Sequence, residues 1–246
     1  MYKEFLIIFT IIIVHELGHF TLARIFKWNI DKIAIYPFGG CVKFNEKINK
    51  PLYQEFIILV AGPLFQIVLF IVINLLFDNN LLNYRNYILF KNYHNTLLLF
   101  NLLPIYPLDG GKLVNLFCNY FFPYKKGNKI VIFLSYILVL LLVVSLKNLN
   151  LFLIGVFLIS EITIYFKRQD YLYNKFLLER YLSEFSFNKL KFIKNKDDMY
   201  KEKRHVVKLK NKYYTEKEYL NKRFKENIKL WKNFCYWLSC FLVLLL

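Results

Sequence analysis

The sequence predicts an all-α polytopic membrane protein with five to six membrane helices, a short β-hairpin after the first, and a basic, partly helical cytoplasmic tail. Three observations carry this reading. Apolar runs of about 20 residues recur through the first two thirds of the chain, and about 20 apolar residues span a bilayer core. Apolar residues make up 57% of the 246 and charged ones only 21%, which is too apolar for an ordinary soluble domain. The formal charge of +17 is also unevenly spread. From Lys167 onward 20 Lys/Arg face 9 Asp/Glu, as expected of a basic segment kept on the cytoplasmic face.

The first helix covers about residues 4–26. Its start resembles a signal peptide, but no small-residue cleavage site follows and His15-Glu16 interrupts the apolar run, so the helix is retained. Residues 32–44, with β-branched and aromatic residues flanking Pro37-Phe38-Gly39-Gly40, read as a hairpin. A second helix runs over about 54–77. A third, over about 93–121, is interrupted because Pro104 and Pro107 cannot sit in an unbroken helix. Uncovered backbone is costly in lipid, so that break faces protein or water. Helices over about 129–147 and 149–168 follow, joined by a turn at Asn148.

Beyond these, Leu172, Phe176, Leu177, Tyr181, Leu182 and Phe185 recur at helical spacing, and 213–229 suits a further helix. The chain therefore divides into a membrane-embedded core (1–168), a basic cytoplasmic tail (169–233) and a short apolar end (234–246) that lies in the interface or only partly crosses. The basic loops after helices one and three fall on the tail's side, which gives a multi-pass protein of the cell membrane with its N-terminus outside. Cys41, Cys118, Cys235 and Cys240 form neither a CxxC pair nor a disulfide framework. No nucleic-acid-binding motif accompanies the positive charge, so no nucleic-acid partner is expected.

Chemistry concentrates in His15-Glu16-Leu17-Gly18-His19. Positions i and i+4 share one helix face, so both imidazoles reach a single ion, and Glu16 projects near it to take a proton from water. This is the HExxH arrangement of zinc metalloproteases. Ionisable groups inside an apolar helix are expensive and mark function. A catalytic zinc needs a third protein ligand and an open position. His94 and His205 are the other histidines, but one sits near the outer end of the third helix and the other in the polar tail. Both read as ordinary interfacial residues. Asp109 is the better candidate. It lies in Asn101-Leu102-Leu103-Pro104-Ile105-Tyr106-Pro107-Leu108-Asp109-Gly110-Gly111, and counting helical rise places both it and His19 in the inner half of the bilayer.

HELGH on one membrane helix and NLLPIYPLDGG on a later one resemble the site-2 proteases, which are polytopic intramembrane zinc metalloproteases. Within that family the pattern is most similar to the short bacterial branch that includes the stage IV sporulation protein FB. The Pro37-Phe38-Gly39-Gly40 turn and Ala61-Gly62-Pro63 fit the same pattern. The resemblance implies zinc bound by His15, His19 and Asp109, Glu16 as catalytic base, and Asn101 as a supporting polar group. It implies that the hairpin edge at Phe38, Gly39 and Gly40 holds unfolded substrate by strand addition. The expected substrate is a membrane-anchored protein cleaved within the lipid bilayer.

Members usually carry a membrane helix before the HExxH helix, which leads to the expectation that this start is truncated or misassigned. No PDZ insertion or CBS domain is recognised. An oligomer, a regulatory membrane partner, the substrate's identity and a sporulation role all stay open. The competing readings are a different HExxH protease with a glutamate as third ligand, and a catalytically silent metal-binding membrane scaffold.

Overall fold

The computed structural model describes residues 2–28, 30–36, 39–44, 48–145, 149–183, 185, 187, 189–194, 196–209 and 212–225. Helix α1 spans Tyr2–Ile25, with Glu4 in its first turn and Arg24 in its last, each sign opposing the helix dipole at its end. It stops in a Schellman turn. Lys27 takes a left-handed φ of 55°, its N–H bonds the Arg24 carbonyl, and the Trp28 N–H bonds the Ala23 carbonyl. Trp28 and Ala23 then pack on Ile58 of the next helix, so the motif that ends α1 also docks it.

Strands β1 (Ile30–Tyr36) and β2 (Gly39–Phe44) form the expected antiparallel hairpin, with Tyr36 opposite Gly39, and β2 runs beside α1. Helix α2, Leu52–Asp78, begins after Pro51 and contains Pro63. Pro63 lacks the N–H that would close on the Leu59 carbonyl, and here α2 lies directly against α1. A Cβ on Gly18 would sit 2.5 Å from the Ala61 carbonyl oxygen, a separation that only a glycine permits.

Helix α3, Tyr84–Asn101, starts at Asn83, whose side chain accepts from the Arg85 N–H. Helix α4 is Asp109–Phe121. The interrupted third helix is thus two helices, and its first part begins earlier than the apolar run suggests. The Asn83 cap and the polar first turns of α3 hid that start. Between them the backbone folds tightly. Tyr106 donates its N–H to Ser135 Oγ at 3.0 Å, and Cβ atoms on Gly110 or Gly111 would collide with the carbonyls of Leu102 and Ile105.

Helices α5 (Tyr124–Ser145) and α6 (Leu149–Lys167) pack through Ile132, Val139, Leu158 and Ile162 onto Ile105. Among the described residues three helices are long and apolar enough to cross a membrane: Tyr2–Ile25, Leu52–Asp78 and the segment Tyr124–Val144.

The tail departs from an all-α reading. After α7 (Gln169–Leu182) come β3 (Leu190–Ile193), β4 (Arg204–Leu209) and β5 (Lys212–Thr215), in the order β3-β4-β5, with β3 and β4 parallel and β4 and β5 antiparallel. Residues 216–225 are helical. The helix expected over 213–229 therefore gives its first residues to a strand. Thr215 marks the change. Its N–H bonds Glu218 Oε2 at 2.9 Å and its Oγ1 accepts from the Glu218 N–H at 3.4 Å, a capping box. A histidine on the buried face of β4 and Val206 on its opposite face blurred the strand's alternation. Tyr173, Phe176, Leu177, Ile193, Met199, Val207 and Leu220 form the tail's core together with Tyr124 of α5.

The tail also grips the starts of α2 and α5. Buried Arg180 donates to Asn49 Oδ1 and Glu216 Oε1 at 2.8 Å, and to the carbonyls of Tyr200, Lys201 and Lys203. Glu202 accepts from the Leu52 N–H at 2.7 Å. Lys201 pairs with Glu55, and Lys126 with Asp198.

Candidate metal centre

His15 and His19 lie one turn apart on α1, and both are buried. Their Nε2 atoms are 3.2 Å apart. Asp109, the first residue of α4, brings Oδ2 to 2.8 Å from His15 Nε2 and 3.1 Å from His19 Nε2. Two helices, α1 and α4, thus meet at one triangle of donor atoms. Gly62 makes the space. A Cβ there would lie 2.3 Å from His19 Nε2 and 2.8 Å from His15 Nε2.

The far side of each ring fixes its tautomer. His19 Nδ1 lies 2.8 Å from the Ile58 carbonyl oxygen, which can only accept, so Nδ1 carries the proton and Nε2 a lone pair. His15 Nδ1 lies 3.0 Å from Gln66 Oε1. The Gln66 amide is oriented in turn by Nε2, which donates to the His94 carbonyl at 3.0 Å. Asp109 Oδ1 accepts from Lys112 Nζ at 3.0 Å, leaving Oδ2 for the triangle. Two lone pairs and a carboxylate oxygen therefore converge. Hydrogen bonds alone would fill this arrangement only with two imidazolium rings side by side. One divalent cation meets the same donors without that repulsion. Metal–ligand bonds of about 2.0–2.2 Å in a tetrahedron set ligand atoms about 3.3–3.6 Å apart, a few tenths of an ångström beyond the edges observed, and three ligands leave a fourth position open.

Glu16 is half-buried beside His15, and its carboxylate also lies within 4.8 Å of ring nitrogens of both histidines. Two triads can thus be drawn, and the one with Asp109 is the tighter. Asn101 ends α3; among the described residues no hydrogen bond ties it to the triangle. Gly39 and Gly40 open β2 opposite Tyr36 and Ile35, while Phe38 lies outside the described residues. The two remaining histidines are not interfacial. His94 is 2% exposed and its ring stacks on Phe70 at 4.5 Å. His205 is 1% exposed, with Nδ1 3.0 Å from Glu216 Oε2 and Nε2 accepting from the Tyr200 N–H. Sequence reasoning passed over Gln66 and Lys112. A glutamine within the apolar run of helix two and a lysine three residues after the aspartate were the available signals.

Residues 4–83 match the sequence profile of peptidase family M50. Through this segment the chain is similar to peptidase family M50. The M50 segment holds His15, Glu16, His19 and Gln66, while Asp109 and Lys112 lie beyond it. Two relatives extend the likeness beyond the matched segment. The chain is 36% identical over 185 residues to stage IV sporulation protein FB of Bacillus subtilis, covering 73% of this chain and 64% of that protein. It is 32% identical to a zinc metalloprotease of Methanocaldococcus jannaschii, covering 61% of this chain and 44% of that one. The chain thus spans less than two thirds of the length of either relative. The fold is similar to a site-2 protease from Methanocaldococcus jannaschii, with a TM-score of 0.55 and 26% identity over 66% of this chain and 77% of that one.

Proposed function

We propose that this chain is an intramembrane zinc metalloprotease that hydrolyses peptide bonds of membrane-anchored proteins. The observation that carries the reading is the triangle of His15 Nε2, His19 Nε2 and Asp109 Oδ2, with edges of 2.8–3.2 Å, and with both Nδ1 atoms turned outwards to the acceptors Gln66 Oε1 and the Ile58 carbonyl. These three residues hold the metal. When bound, zinc supplies Lewis-acid polarisation of a substrate carbonyl and of water. Glu16 accepts the proton from the attacking water and delivers it to the leaving amine nitrogen. Lys112 occupies Asp109 Oδ1 and so leaves Oδ2 to face the centre. Asn101 and the hairpin at Phe38 to Gly40 serve the substrate, the latter as an edge to which an unwound segment adds a strand. A helical substrate must unwind first, because its carbonyls are already hydrogen-bonded.

We place the protein in the cell membrane, with α1, α2, α5 and α6 crossing and α3 with α4 forming one broken crossing. The same proposal divides the chain into a membrane core (1–168), a tail (169–233) and an apolar end (234–246). The starts of α2 and α5 meet the tail on one side, and its excess of Lys and Arg assigns that side to the cytoplasm. Full-length protein reconstituted in lipid tests the chemistry. Glu16→Gln should lose at least about 10²-fold in cleavage of a membrane-anchored substrate while keeping its zinc. Undiminished cleavage by this variant refutes the assignment.

A further inference from the structure

Gln66 is fully buried in the apolar helix α2, where an amide without function is costly. It touches neither Asp109 nor Glu16 by any hydrogen bond among the described residues. Its amide bridges two helices instead, accepting from His15 Nδ1 at 3.0 Å and donating to the His94 carbonyl at 3.0 Å. The direction of this relay is forced from its far end. A backbone carbonyl cannot donate, so Nε2 must face His94 and Oε1 must face His15. The His94 residue that anchors it is itself held, its ring stacked between Phe70 at 4.5 Å and Phe90 at 6.0 Å.

From this geometry we infer that Gln66 is a positioning residue that fixes His15 in the Nδ1-protonated tautomer and aims its Nε2 at the metal. The inference rests on the zinc reading above and adds a determinant that the HExxH motif does not contain. The neighbouring His19 is served differently, by the Ile58 carbonyl. A main-chain acceptor cannot be mutated away or turned round. A side-chain amide can, so His15 is the ligand whose orientation depends on one replaceable group. Partners on the outer nitrogen of a ligating histidine set ring orientation and basicity, and their loss typically weakens metal binding about 10–100-fold.

Full-length protein in lipid nanodiscs, titrated with zinc against a chromogenic chelator, gives the affinity. Labelling the ring nitrogens with ¹⁵N gives the tautomers directly, since the chain has only 4 histidines. Gln66→Leu should bind zinc about 10–100-fold more weakly, and His15 should lose its single protonated Nδ1 signal while His19 keeps its own. Gln66→Glu, buried in an apolar helix and so held as the neutral acid, donates its O–H to the His94 carbonyl, turns its other oxygen towards His15, and should restore both affinity and signal. Two outcomes overturn the inference: a Gln66→Leu protein with wild-type affinity and an unchanged His15 spectrum, or a Gln66→Glu protein as impaired as Gln66→Leu. If the wild type takes up no zinc, the metalloprotease reading fails. The His15 tautomer in metal-free wild type and Gln66→Glu still decides what Gln66 does.

Discussion

Replacing Gly62 with alanine adds one methyl group against both histidine rings. Its Cβ would lie 2.3 Å from His19 Nε2, 2.5 Å from His19 Cε1 and 2.8 Å from His15 Nε2. Non-bonded heavy atoms rest at about 3.5–4.0 Å, so the His19 ring must retreat by about 1 Å or α2 must move away from α1. Overpacking of this kind costs about 1–3 kcal/mol, which a folded membrane core survives. The metal site tolerates less, because ligand distances are held within about 0.2 Å and a 1 Å misplacement costs about 10²-fold in rate.

The assay is cleavage of a membrane-anchored substrate in proteoliposomes, with zinc content measured on the same samples. Gly155→Ala is the control. Its Cβ would lie equally close, at 2.3 Å, to Val143 Cγ2, but it sits between α5 and α6 and meets a methyl group that can rotate. Gly62→Ala should lose about 10²-fold in cleavage together with much of its zinc, while Gly155→Ala stays near wild type. Gly62→Ala cleaving at the wild-type rate, or Gly155→Ala losing as much, would falsify the reasoning.

Asp109→Ala should purify without zinc, whereas a site completed by a glutamate would keep its metal; elemental analysis separates the two. Tail stability should fall on acidification in two steps. Burial lowers the pKa of His205 despite Glu216, so below about pH 6.5 the unfolded tail takes up a proton that the folded one refuses. Burial would raise the Glu216 carboxyl, but the His205 hydrogen bond and Arg180 outweigh it and hold the pKa at about 2 against an ordinary 4.5. Stability present above pH 4.5 is therefore lost further as pH falls towards 2. Urea midpoints followed through the resonances of Val207 should show both steps, and Glu216→Gln should remove the lower one. A midpoint flat from pH 7 to pH 3 would contradict the assignment.

The helices and the convergence of His15, His19 and Asp109 were legible because each has a local cause. Apolar length marks a membrane helix, i to i+4 spacing puts two rings on one face, and prolines beside paired glycines announce a break. What escaped depends on partners distant in sequence. Gln66 looks like a stray polar residue until His94 and His15 are seen on either side of it. His94 and His205 look interfacial because burial is set by elements that meet them from elsewhere, Phe70 for one and Arg180 with Glu216 for the other. The tail sheet was hidden for a similar reason, since four-residue strands in a lysine-rich stretch hardly alternate. The capping box at Thr215 to Glu218 was local, however, and read as a signal it would have split strand from helix correctly.

Arg180, Lys201 and Glu202 fasten the tail to the first turn of α2, and α2 is the same rod that carries the Ile58 carbonyl and the Gln66 amide. At about 1.5 Å per residue, Ile58 lies about 9 Å and Gln66 about 21 Å along the shaft from Leu52. With glycine-close contact at Gly18 and Gly62 there is no soft layer to absorb a shift. A displacement of the tail would therefore be felt first at the start of the one helix that supplies the Nδ1 partners of both imidazoles.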